Sequence, residues 1–222
     1  MKVDILAIGI HPDDVELSAS GTLLRQNALG YSFGLLDLSM GELGSRGTAE
    51  LRAQEAKAAA DILSYQYFRA YGLPIVRVRA FNHTGPRQGT GYVVPDFCSQ
   101  IVKIEHSQRR GVIKVGNISA KRDIADVRDI VNGYRLAAKK GRPGEPYILA
   151  SGKAHSIRQF LRLLTDMSTA EIDIKVSKEL LRPVEVPLLL GSISKSKKEL
   201  GYNPKYTIEQ TLLDTLDFWR MN

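Results

Sequence analysis

The apolar run VDILAIGI at residues 3–10 has the length and density of a buried strand. After Glu16, small and apolar residues recur at helical spacing up to Gly30, which predicts a helix with a glycine stop. Residues 32–39 read as a second strand, and the glycine turn GELGSRG then leads into TAELRAQEAKAAADILSYQYFRAYG. The Ala, Leu, Glu and Gln content of that stretch predicts a long helix with Thr48 at its N-cap, ended by Gly72 and Pro74. A third strand, IVRVRAFN, follows at 75–82. The second half predicts a helix around 95–107, a strand GVIKVGN, a helix from about 126 to 140 and a strand PYILAS. A helix opened by Ser156, a strand IDIKVS, a short segment ending GSIS and a final helix from Ile208 to Trp219 complete it. Strands alternating with helices predict a mostly parallel sheet covered by helices, the α/β class.

Composition changes this picture little. Of 222 residues 43% are hydrophobic and 25% charged, enough apolar material for a real core. The net charge of +7 is spread over the second half without a dense Lys/Arg tract. That pattern favours an anionic small ligand over a nucleic-acid groove. The single cysteine, Cys98, rules out an internal disulfide and fits a reducing compartment. The N-terminus opens directly into a strand pattern, with no basic leader and no long apolar span. The expectation is a cytoplasmic protein with no membrane segment.

His11, Asp13 and Asp14 follow the first strand, where open α/β sheets place their ligands. Imidazole and carboxylate are both zinc ligands, and a second carboxylate could take a proton from metal-bound water. The plainer alternative is that the aspartates cap the next helix while His11 fills a turn. Spacing alone leaves both open.

HPDDVELSASGTL, followed by LLDLSMGELGSRGTAELRAQEA, closely resembles the zinc-dependent deacetylases of the LmbE/PIG-L group, especially those acting on N-acetylglucosaminyl malate in the bacillithiol pathway. The resemblance runs over about residues 1–63. It implies His11 and Asp14 as zinc ligands, Asp13 as general base and Arg46 as a contact to an anionic amino-sugar substrate. The group's third ligand comes from a later segment of the type H-P-D-H, which this chain does not contain. Gly41, Gly44 and Gly47 also have the spacing of a dinucleotide loop, but they follow the second predicted strand rather than the first.

From about Ser64 the text changes. YQYFRAYGLPIVRVRAFNHTGPRQGTGYVVPDF, KVGNISAKRDIADVRDIVNGYRLAAKKGRPGEPYILASGKAHSIRQFLRLL and LLRPVEVPLLLGSISKSKKELGYNPKYTIEQTLLDTLDFWR resemble, in order, the C-terminal half of the GDP-mannose 4,6-dehydratases. These belong to the extended short-chain dehydrogenase/reductases, the NAD-dependent epimerase/dehydratase family. The resemblance implies a sugar-nucleotide ligand, with Asn82 and His83 lining the sugar or nicotinamide region, Arg122 and Arg182 offering planar forks to a diphosphate, and Glu185 accepting from ribose hydroxyls. The competing reading makes RDIADVRD a charged helix start and Arg182 a surface residue.

The resemblance also implies NAD(P), yet the first-strand glycine loop is missing and no tyrosine is followed by lysine four residues on; Tyr65 with Arg69 is the nearest imitation. The chain thus reads as two segments, 1–63 and 64–222, in one continuous α/β body of Rossmann-like type with helices on both faces and a smaller C-terminal substrate-binding lobe. The expected function is nucleotide-sugar binding without full dehydratase activity. The alternative is a zinc deacetylase with an incomplete or rebuilt metal site. If the strand at 75–82 takes the slot beside the first strand, His83 could complete a weak zinc site with His11 and Asp14. The plainer role for His83 is to line a sugar pocket.

Overall fold

The computed structural model describes residues 4–9, several positions between 22 and 31, the strand at 33–37, and residues 61–107, 110–180 and 186–222. The chain divides into two compact units. The first comprises 1–79, 131–147 and 198–201, and the second 80–130, 148–197 and 202–222.

In the first unit β1 (Ile5–Gly9) pairs in parallel with β2 (Phe33–Asp37), in register from Ile5 opposite Phe33 to Gly9 opposite Asp37. Helical residues between them make the crossover that a parallel pair requires. That helix stops where predicted: Gly30 has φ +90°, and the Tyr31 amide reaches back to the Gln26 carbonyl at 3.2 Å. This is the six-to-one closure in which a left-handed residue, normally glycine, ends a helix. Helix α1 runs through 61–71, and the Gly72 amide closes it on Phe68. Arg77 ties α1 down: its guanidinium reaches Asp61 at 3.1 Å and the Gly144 carbonyl at 3.0 Å, and lies 4.7 Å over the Tyr65 ring.

The second unit holds a well-defined core. Helix α2 (Val93–Ser107) buries Val94, Phe97, Cys98, Ile101 and Val102, the i, i+3, i+4, i+7 stripe of an amphipathic helix. Two helices pack against it: α4 (Ile157–Asp166), through Phe160, Leu161 and Leu164, and α5 (Ile208–Met221), through Leu212 and Leu216. Ile113 and Val115 of β5 (Gly111–Val115) join the same cluster. Leu161, Leu164, Leu212 and Leu216 are wholly buried, each contributing on the order of 1.5–3 kcal/mol. Ser156 opens α4 with a full capping box, its hydroxyl on the Gln159 amide and the Gln159 side chain on its own amide.

Around that core β5 pairs in parallel with β10 (Ile172–Val176), and β4 (His83–Thr84) in parallel with β7 (Ala125–Asp126). Strand β6 (Lys121–Asp123) lies between β11 (Leu188–Leu189), parallel, and β9 (Ala154–Ser156), antiparallel. Helix α3 (Val127–Lys140) continues from β7, and β3 (Arg77–Ala80) has β8 (Pro146–Leu149) as its neighbour.

The predicted α/β alternation holds, with two corrections. The short strands β6, β7, β9 and β11 are too brief for their periodicity to show in the sequence. Among the described strands, moreover, β1 pairs with β2 and β3 with β8, so the third predicted strand does not take the slot beside the first. Among the described residues no helix is long and apolar enough to cross a membrane.

Candidate functional site

The described candidate residues gather around β4, β6 and β7 in the second unit. Asn82 is exposed just before β4, and its carbonyl accepts from the Ala125 amide at 2.9 Å. The FNH stretch therefore lies directly beside the RDIAD stretch, as the ladder places His83 opposite Ala125. His83 is half-buried, and its Nδ1 stands 2.9 Å from the Phe81 carbonyl oxygen. That contact orients the ring and leaves Nε2 as the nitrogen available to a ligand. Among the described residues no three His, Cys, Asp or Glu side chains come together as a metal-ligand group, so the expected zinc site has no support from them. His11, Asp13, Asp14, Arg46, Arg182 and Glu185 lie outside the described residues.

Arg122 is on β6, three residues before the start of β7. Its Nη1 donates to the carbonyls of Lys121 at 2.9 Å and Val186 at 2.7 Å. Val186 directly follows the RPVE segment that carries Arg182 and Glu185 in sequence, so Arg122 fixes the point where that segment rejoins the described chain.

RDIADVRD is more than a charged helix start. Asp123 is wholly buried and accepts four hydrogen bonds: Oδ1 from the Ser151 amide at 2.9 Å and hydroxyl at 2.6 Å, Oδ2 from the amides of Gly152 at 3.0 Å and Gly191 at 3.2 Å. Gly191 can come this close because a Cβ there would run into Ala150. Asp126 caps α3 on the Arg128 amide at 2.8 Å and accepts from the Thr211 hydroxyl of α5 at 2.8 Å. The Arg128 guanidinium forks onto Asp126, reaches Asp214 at 2.7 Å and stacks 3.7 Å over Tyr206. Asp129 accepts from the amides of Lys205 and Tyr206 at 3.0–3.1 Å.

Three carboxylates at a spacing of three residues thus hold distant parts of the chain, Asp123 the backbone at 151–152 and 191, Asp126 the Thr211 hydroxyl and Asp129 the backbone at 205–206. The sequence showed the charges but not their donors, which are mostly main-chain amides and carry no residue signature.

The family profile of GDP-mannose 4,6 dehydratase matches residues 54–215. The chain belongs to that family. It is 28% identical over 221 residues to the GDP-6-deoxy-D-mannose reductase of Pseudomonas aeruginosa, covering 92% of this chain and 73% of the relative. It is 30% identical over 166 residues to a GDP-mannose 4,6-dehydratase of Sordaria araneosa, covering 66% of this chain and 30% of that one. The solved structure of RMD from Pseudomonas aeruginosa complexed with NADPH superposes with a TM-score of 0.72 at 27% identity, covering 94% of this chain and 73% of that one. The fold is accordingly α/β and Rossmann-like.

The chain spans about half or less of the matched dehydratases' length. The match to the reductase takes in most of residues 1–63 as well, and the family profile begins ten residues before the 63/64 join. Likeness to this family is therefore not confined to 64–222.

Family membership implies NAD(P), and the sequence after β1 offers no glycine loop to receive it. A dinucleotide loop needs glycines after the first strand so that the backbone can approach the pyrophosphate. Here β1 ends at Gly9, no glycine follows in the sequence until Gly21, and the stretch between them carries Asp13 and Asp14, whose charge opposes a phosphate.

Proposed function

We propose that the protein binds a GDP-mannose-type nucleotide sugar in the region of β4, β6 and β7 and does not complete dehydratase turnover. The observation that carries this reading is the β4–β7 pairing, which sets Asn82 and His83 beside RDIAD, with Arg122 on β6, the strand preceding β7 in sequence, bonded to Val186. In this reading Asn82 and His83 face the sugar, Arg122 and Arg182 the diphosphate, and Glu185 the ribose. The lack of turnover rests on the HPDD sequence where a glycine loop would stand and on the absence of any Tyr-x-x-x-Lys. Calorimetric titration with GDP-mannose, followed by product analysis after incubation with NADP, tests both parts. Saturable binding with the sugar recovered unchanged is expected. No binding at millimolar concentration defeats the first part, and a 4-keto-6-deoxy product defeats the second.

A second reading keeps a divalent-metal site at His11 and Asp14, with Asp13 as base, giving a deacetylase-type opening with a weak zinc affinity. Its support is the HPDD motif beginning two residues after the end of β1. Zinc titration of the parent and of His11→Ala decides it, and equal uptake by both removes this reading.

A further inference from the structure

Beyond the groups already assigned, Gly85, Pro86, Arg87 and Gln88 form a tight turn at the carboxyl end of β4, closed by the Gln88 amide on the Gly85 carbonyl at 3.4 Å. Arg87 has φ +75° and is the one non-glycine residue with positive φ among the described residues. With proline at the second position and positive φ at the third, this is a type II turn, whose third position strongly favours glycine. The conformation is enforced from outside the residue. The Thr84 hydroxyl donates to the Gln88 Oε1 at 2.8 Å, and the Gln88 Nε2 donates to the His83 carbonyl at 3.4 Å, clasping the turn across its base. Thr84 and Gly85 are buried, whereas Arg87 is exposed and makes no hydrogen bond or ion pair among the described residues. Past the turn, a Cβ at Gly89 or Gly91 would meet nothing within 4 Å, so the loop borders open space.

A glycine would satisfy the turn with less strain. A large cation held in this conformation with no internal partner is a strained residue of the kind found at ligand contacts. Ligands of open α/β sheets lie beyond strand carboxyl ends, which is where Arg87 stands.

We infer that Arg87 is a binding residue for the diphosphate of the nucleotide sugar, presented by the Thr84–Gln88 clasp as a planar fork for two phosphate oxygens. This rests on the nucleotide-sugar reading above and adds to it a contact that neither the family profile nor the motif comparison assigned.

The test compares the parent, Arg87→Gly and Arg87→Lys by calorimetry with GDP-mannose, GDP and guanosine, alongside thermal melting. Arg87→Gly should melt at the same or a higher temperature, yet bind GDP-mannose and GDP about tenfold or more weakly, the loss of one hydrogen-bonded charge. Guanosine affinity should not change, and Arg87→Lys should recover part of the loss. If the parent binds GDP-mannose and Arg87→Gly binds it equally well, the role of Arg87 is refuted while the nucleotide-sugar reading stands. If the parent binds neither GDP-mannose nor GDP, both fall together.

Discussion

Replacing Asp123 by Asn tests the buried carboxylate most directly. The two side chains are nearly isosteric, so packing is preserved and the change is confined to charge and donor pattern. Each Asp123 oxygen accepts two protons, Oδ1 from Ser151 and Oδ2 from Gly152 and Gly191. Asparagine can keep its oxygen on one side only, and its NH2 must then face amide donors on the other. Two hydrogen bonds to a charged group are lost, at about 1.5–3 kcal/mol each, offset in part because a buried charge is also removed. The net cost should be about 3 kcal/mol, a large share of the roughly 5–15 kcal/mol that holds a domain together. With a urea slope of about 2 kcal/mol per molar, the midpoint should fall by about 1.5 M. Urea unfolding followed by circular dichroism measures this. A shift below about 0.3 M would mean that the four bonds do not act together, and the anchoring argument would fail.

Other expectations follow from the same physics. Burial pushes the Cys98 thiol up to about 12, so it should resist iodoacetamide at pH 8 in the folded protein and label fully in urea; fast labelling of native protein would contradict its burial. The Arg220 guanidinium, bonded at 2.8–3.0 Å, holds Glu105 below the usual carboxylate range. Its stabilising effect is therefore present above the unfolded-state pKa and lost as pH falls through the lower folded value. Glu105→Gln should cost about 2 kcal/mol at pH 7 and less once the pH falls below the unfolded-state value, measured by chemical unfolding across that range; an equal cost throughout would refute the linkage. Gly144 has φ +79° and its Cβ would enter the Phe68 ring, so Gly144→Ala should destabilise by about 2 kcal/mol or more in thermal melting.

Much of the architecture was legible because it is written in periodicity and punctuation. The helix expected around 95–107 is α2, Ser156 opens α4 as expected, and Gly72 marks a helix end. Short strands such as β6 and β7 are held by partners rather than by their own pattern, so nothing local betrays them. The same applies to the site. Asn82, His83 and Arg122 were visible as motif residues, but Arg87 was not, because its distinction is a backbone angle forced by Thr84 and Gln88. Adjacency of the first and third strands concerns sheet order, which local sequence does not encode, and among the described strands it does not hold.

The three aspartates also govern when this unit can become native during synthesis. Asp126 emerges 85 residues before Thr211, Asp129 76 residues before Lys205, and Asp123 68 residues before Gly191. At translation rates of about 5–20 residues per second, Asp126 waits roughly 4–17 s for its partner on α5. Throughout that interval β6 and β7 carry carboxylates whose donors do not yet exist, so the growing chain cannot lock this region early. Helix α5 acts as a completion signal for this region, and folding factors have a defined window in which to engage a nascent chain that is long but still uncommitted.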